Sequence, residues 1–282
     1  MHDIIDAHHH LWDRGRFRYS WLHQTPNIDR DYLLRDYESV IAGTGVVQSV
    51  HVQADVDEPW ALQETNWLLS IADGVGPVTA VVGWAPVERA AELESFLEEQ
   101  GEHLRLKGYR RLIQSEDDPD FAARDEFVQG VRRLGEGGLS FDLCVYHHQL
   151  PAVVKLARQT PDTMLVLDHI GKPDIRAGQL DPWRDHMREL AAMGNVYCKL
   201  SGMTTEADQN SWTIDDLRPY AEAVIDAFGF SRLMFGSDWP VSTQAVSYQQ
   251  WVATVMELVS GASSGELDAL LRGTATRFYR LG

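Results

Sequence analysis

Cysteine is scarce in this chain of 282 residues: Cys144 and Cys198 are the only two, and neither belongs to a Cys-x-x-Cys spacing. That excludes a disulfide framework. Both fall inside predicted strands, where they read as small buried hydrophobes of a reducing compartment. Positive charge is scarce as well. With 25 Lys and Arg against 42 Asp and Glu the formal net charge is −17, which argues against a nucleic-acid partner, because a phosphate backbone is held by a basic stripe. No apolar run is long enough to span a bilayer, and Met1-His2-Asp3-Ile4-Ile5-Asp6 has acids where a secretory signal would carry basic residues. The expectation is a cytoplasmic protein with no membrane partner. Internal repeats and low-complexity segments are missing. The run Gly135-Glu136-Gly137-Gly138 precedes a strand instead of joining strand to helix, so it is not a phosphate cradle.

What is present is alternation. Short β-branched runs read as strands at Ile4–Ala7, Val46–Val52, Val78–Trp84, Leu106–Arg111, Phe141–Val145, Met164–Leu167, Val196–Leu200 and Leu233–Phe235. Amphipathic stretches such as Asp31–Ala42, Pro59–Ala72, Asp120–Leu134 and Ile214–Ala227 separate them. Runs that are apolar at nearly every position suit a parallel sheet covered by helices. Eight such units predict an α/β fold, a (β/α)8 TIM-type barrel filling one domain over 1–282, with a doubly wound open sheet as the competing topology. The aromatic-rich connection Arg14–Arg30 would lie over the barrel mouth, and Gly261–Gly282 would end in a helix at the bottom or outside.

In a barrel of this type the chemistry sits where strands end. Strand one ends in His8-His9-His10, whose spacing turns His8 and His10 to one face and His9 away. Strand two is followed by Gln53 and Asp55, strand three by Trp84, and strand four by Arg110, Arg111 and Gln114. Strand five is followed by His147 and His148, strand six by Asp168, His169 and Lys172, strand seven by Lys199, Ser201 and Gly202, and strand eight by Ser237, Asp238 and Trp239. His8, His10, His169 and Asp238 together can hold a metal ion or a water, and Asp238 can take a proton from that water. Trp84 and Trp239, at strand ends, are expected to wall the pocket. A Gly-x-Ser-x-Gly pattern at Gly261–Gly265 follows a helical run, so it does not build a nucleophile elbow.

The segments Ile5-Asp6-Ala7-His8-His9-His10-Leu11-Trp12-Asp13, Gly108-Tyr109-Arg110-Arg111, Leu167-Asp168-His169-Ile170-Gly171-Lys172-Pro173, Lys199-Leu200-Ser201-Gly202 and Phe235-Gly236-Ser237-Asp238-Trp239-Pro240 resemble the amidohydrolase superfamily. The likeness is closest to its sugar-lactonase branch and covers nearly the whole chain. The resemblance implies hydrolysis of a sugar-acid lactone of the L-fuconolactone type to the aldonate. It makes Asp238 the base, places His8, His10 and His169 at the metal or substrate carbonyl, and gives Arg110 a substrate contact, with Gln53 and Lys172 lining the pocket; His147, from its place after strand five, is a further candidate for substrate binding. It also implies one divalent ion such as zinc, or none. Binuclear members carry a carbamylated lysine or a glutamate at the end of strand four. Arg110 and Arg111 stand there in this chain, which disfavours two metals. Non-oxidative decarboxylation, known in the same superfamily, is the alternative reaction, and a non-catalytic ligand-binding barrel is the alternative class.

Overall fold

The computed structural model describes His2 to Gly282. Eight strands form one parallel sheet in sequential order: β1 (Ile4–His9), β2 (Val46–Val52), β3 (Val78–Gly83), β4 (Leu106–Arg110), β5 (Ser140–Leu143), β6 (Leu165–Leu167), β7 (Val196–Leu200) and β8 (Leu233–Phe235). The sheet curls until its first and last strands meet. Asp238 N donates to the His8 carbonyl at 2.8 Å and His10 N to the Trp239 carbonyl at 2.7 Å, so the first and last strands are stitched together at the barrel mouth.

Helices α1 (Leu34–Ile41), α2 (Ala61–Ala72), α3 (Ala90–Gln100), α4 (Asp125–Glu136), α5 (Leu150–Gln159) and α6 (Trp183–Ala191) each cross between successive strands. The short α7 (Met203–Glu206) and the longer α8 (Ile214–Phe228) fill the β7–β8 crossover, and α9 (Tyr248–Leu258) follows β8. The core has two compartments, because strand residues alternate between the helix layer and the barrel axis. Phe141, Leu143, Leu165, Leu167, Cys198, Leu200, Leu233 and Phe235 pack outward among the helices. Ile5, Ala7, Val50, Val52, Ala80, Val82, Val166 and Met234 fill the axis. β1 does not keep one phase. Its pairing register to β2 shifts between Asp6 and His9, and this irregularity lets His8 and His10 follow Ile5 and Ala7 onto the inside while His9 faces the helices.

The C-terminal segment closes the lower end. α10 (Ser264–Asp268), a π-helical turn over Ala269–Gly273 and α11 (Thr274–Tyr279) run on from one another, and Phe278 and Tyr279 join the axial cluster. Ser263, in the Gly-x-Ser-x-Gly run, accepts from Glu266 N and donates to the Glu266 carboxylate, so it serves as the N-cap of α10.

Candidate active site

His10, just past the end of β1, reaches a cavity of ≈ 150 Å³ at the carboxyl ends of the strands, lined also by Trp21, Asp55, Arg110, Gln114, Cys144, His169, Lys172 and Asp238 among others, with His8 buried behind it. His10 Nδ1 lies 2.7 Å from the Val52 carbonyl, which can only accept, so the ring proton sits on Nδ1 and the Nε2 lone pair faces the cavity. His8 Nε2 is 3.2 Å from His10 Nε2. His9 stacks on Tyr37 at 3.9 Å, outside the barrel.

His169 comes from the turn after β6. Its Nδ1 is 2.9 Å from Ser201 Oγ at the end of β7, and its Nε2 is 3.8 Å from Asp238 Oδ1. The neighbouring Gly202 has φ +62°, and a Cβ there would stand 2.6 Å from His169 Nδ1, so glycine is required on both backbone and steric grounds. Asp238 Oδ1 also lies 3.4 Å from His10 Nε2 and 3.8 Å from His8 Nε2. Beneath it, buried Asp6 accepts from Ser237 N at 2.8 Å, Ser237 Oγ at 2.6 Å, Tyr37 Oη at 2.9 Å and Tyr248 Oη at 2.9 Å, which fixes the loop that aims Asp238. A Cβ on Gly236 would come within 2.8 Å of the His8 Cβ, so only glycine lets β8 approach β1 this closely.

Backbone strain concentrates at the same place. Among the described residues, Asp55, His169, Ile170, Lys172 and Asp238 are five of the six non-glycine residues with positive φ. Four of these five line the cavity, and Ile170 sits between two of them. Non-glycine residues rarely hold such φ values unless surrounding structure enforces them, and they gather at functional sites.

Burial governs protonation here. It pushes His10 down to about 3 and His169 to about 4, the latter against the raising influence of Asp238, and holds His8 well below its ordinary value. All three rings are therefore neutral near pH 7. Burial pushes Asp238 up, opposed by His169, Lys172 and Arg110. Neutral imidazole lone pairs converging on a carboxylate form the donor set that a divalent ion takes. His8, His10 and Asp238 can offer one ligand atom each within 4.8 Å of one another, as can His8, Asp168 and His169. The 3.2 Å between the two Nε2 atoms also suits two ligands of one tetrahedral ion at about 2.0–2.1 Å each.

Not every residue expected at the pocket lies there. Arg110 and Lys172 do. Gln53 sits beneath them: its side-chain Nε2 donates to the Arg110 carbonyl at 3.4 Å, its Oε1 accepts from Asp55 N at 2.5 Å, and its own carbonyl accepts from Arg110 Nη2. His147 lies at the rim, its Nδ1 3.1 Å from the Lys172 carbonyl. The two tryptophans are corrections. β3 stops at Gly83, so strand alternation no longer steers Trp84, which packs on Phe96 of α3 with Arg89 over it. The positive φ of Asp238 turns the next residue outward, and Trp239, 2 % exposed, is buried between Tyr32 and Tyr37. The aromatic wall is Trp21 instead, its indole N–H donating to the Ala54 carbonyl at 2.8 Å. Cys144 is buried as expected but also lines the cavity, with its thiol pushed up to about 11 by burial.

The loop carrying Trp21 is anchored by a buried pair: Tyr19 Oη donates to Glu64 Oε1 of α2 at 2.9 Å. Burial pushes the Glu64 carboxyl from 4.5 up to about 8. The folded chain therefore keeps a proton on Glu64 that the unfolded chain releases above 4.5, and stability falls as pH rises from 4.5 to about 8. Glu64→Gln should flatten that slope, shrinking the difference in Tm between pH 5 and pH 8. An unchanged difference in thermal scans would mean that Glu64 is ionised in the folded chain.

Residues 5–281 match the family described as Amidohydrolase. The chain is 37% identical over 290 residues to an L-fucono-1,5-lactonase of Burkholderia multivorans, covering 98% of this chain and 96% of that protein. It is 26% identical over 294 residues to an L-rhamnono-gamma-lactonase of Scheffersomyces stipitis, covering 84% and 85%. A crystal structure of a Burkholderia multivorans amidohydrolase with bound zinc superposes with a TM-score of 0.88 at 35% identity, covering 99% of this chain and 100% of that one.

Proposed function

The chain belongs to the amidohydrolase family, and on that premise we propose that it opens a sugar-acid lactone to the aldonate, with Asp238 as general base and one divalent ion as cofactor. The observation that carries this reading is the meeting of His10, His169 and Asp238 at a small cavity, with the buried His8 directly behind them. At ≈ 150 Å³ the cavity falls below the about 300–1,000 Å³ of sites for drug-sized ligands, so the substrate is one small ring. Asp55, Gln114 and Lys172 offer hydrogen bonds to hydroxyl groups, and Trp21 offers a face for the ring's C–H edges.

Asp238 removes a proton from water, and the hydroxide oxygen bonds to the lactone carbonyl carbon. The carbonyl then re-forms, the bond from that carbon to the ring oxygen breaks, and Asp238 returns the proton to the departing oxygen. Arg110, 3.3 Å from His8 Nε2 through Nη1, is placed to face the oxygen that gains charge. A divalent ion held by His8, His10 and His169 beside Asp238 would polarise the carbonyl and lower the pKa of a water. The neutral state of the three imidazoles favours that ion over cationic histidine as the source of positive charge.

A panel of 1,4- and 1,5-lactones of sugar acids, assayed by acid release with and without a chelator, tests the reading. Turnover of neutral polyhydroxylated lactones, lost on chelation and restored by zinc, is expected. Carbon dioxide release from an aromatic acid, with no lactone opened, would overturn it.

A further inference from the structure

Below the cavity, inside the barrel, lies a chain of fully buried charges. Lys199 Nζ of β7 is 2.5 Å from Asp142 Oδ2 of β5, 2.9 Å from Asp168 Oδ1 and 3.1 Å from His8 Nδ1. Asp142 Oδ2 also accepts from Tyr279 Oη of α11 at 2.8 Å, and the Tyr279 ring lies 5.6 Å from the same ammonium. The lower plug of the barrel is thus linked by side chains to the upper site.

His8 Nδ1 faces two competing partners. Asp168 Oδ1, 3.2 Å away, can only accept, and would keep the ring proton on Nδ1. Lys199 can only donate, and would move the proton to Nε2. On the cavity side, Arg110 Nη1 stands 3.3 Å from Nε2 and can only donate, which requires Nε2 to be bare. A bare Nε2 is also what a ligand or acceptor role demands. The outcome turns on where the ammonium is held.

We propose that Asp142 and Tyr279 act as positioning residues that draw the N–H groups of Lys199 toward Asp142, so that the ammonium, although 3.1 Å from His8 Nδ1, points no N–H at that nitrogen, Asp168 keeps the His8 proton on Nδ1 and Nε2 is left bare. The kinetic part rests on the lactonase reading; the tautomer part does not. Removing the Asp142 charge frees Lys199 to donate to His8 and blocks Nε2. Removing Lys199 as well leaves Asp168 alone with His8 and restores the tautomer. A purely structural role makes the opposite forecast, since losing both members of the pair would leave a barrel no better than losing one.

The test uses metal-free protein labelled with 15N-histidine, with His8 assigned by the signal lost in His8→Asn, alongside kinetics of the zinc-loaded enzyme on the best lactone of the panel. In the parent the His8 proton should be on Nδ1. Asp142→Asn should show it on Nε2, with kcat/KM down about ten- to a hundredfold, and Asp142→Asn with Lys199→Met should recover both. Tyr279→Phe, which keeps the ring and loses only the hydroxyl, should show both tautomers and a smaller fall in kcat; it carries the test if Asp142→Asn does not fold. An unmoved His8 proton in the single variants, or a double variant no better than Asp142→Asn, overturns the proposal. Absence of lactone turnover in the parent would refute the lactonase reading while the ring-nitrogen spectra still decide this one.

Discussion

Asp238→Asn should fold as the parent does and open lactones about a hundred to ten thousand times more slowly. The substitution keeps shape and the left-handed backbone, since Asn tolerates φ near +56° as Asp does. It also keeps the main-chain bond from residue 238 to the His8 carbonyl that closes the barrel. What is lost is the carboxylate that stands 3.4–3.8 Å from three imidazole nitrogens and can hold the proton of water through the reaction. Steady-state kinetics with a thermal melt on the same sample separate the two effects. Turnover near the parent level in a folded Asp238→Asn protein would move the base elsewhere, and Asp55, the other cavity carboxylate with positive φ, would be next in line.

Replacing His8 and His10 together with Asn should remove activity at least as completely. The two rings bring ring nitrogens 3.2 Å apart, and the neighbouring imidazole on β2, His51, cannot replace them, because its Nε2 already accepts from Leu11 N at 2.7 Å. Divalent binding should fall with activity, so titration of zinc against a chromophoric chelator gives a readout independent of the substrate chosen. Circular dichroism checks the fold, which Asn can partly support because its amide can still donate toward the Val52 carbonyl. A folded double variant that still turns over lactone would take the β1 pair out of the mechanism.

Much of this site could be read before the structure, for a definite reason. Parallel barrel strands are buried on both faces, so each appears as a short apolar run, and the first polar residue after each run marks the mouth. That logic located His8, His10, Arg110, His169 and Asp238. It failed where local backbone departs from strand geometry: Trp84 lies past the last paired residue of β3, and Trp239 follows the left-handed Asp238. The role of Lys199 and Asp142 was hidden differently. Each sits within its strand as the single charged residue, and only the curl of the sheet shows that β5, β6 and β7 bring Asp142, Asp168 and Lys199 to one point on the axis. The phase shift in β1 was also invisible: Ile5 and Ala7 face inward on one parity and His8 and His10 on the other, and no glycine or proline marks the step between them.

The seam between β1 and β8 has a consequence for the order of folding. The imidazoles and the carboxylate that faces them are far apart in sequence, and they are joined by main-chain bonds that form only when β8 docks on β1. The cluster therefore depends on the contact of longest sequence separation in the sheet, and a barrel whose last strand has not docked lacks it, however many of the other strands have paired.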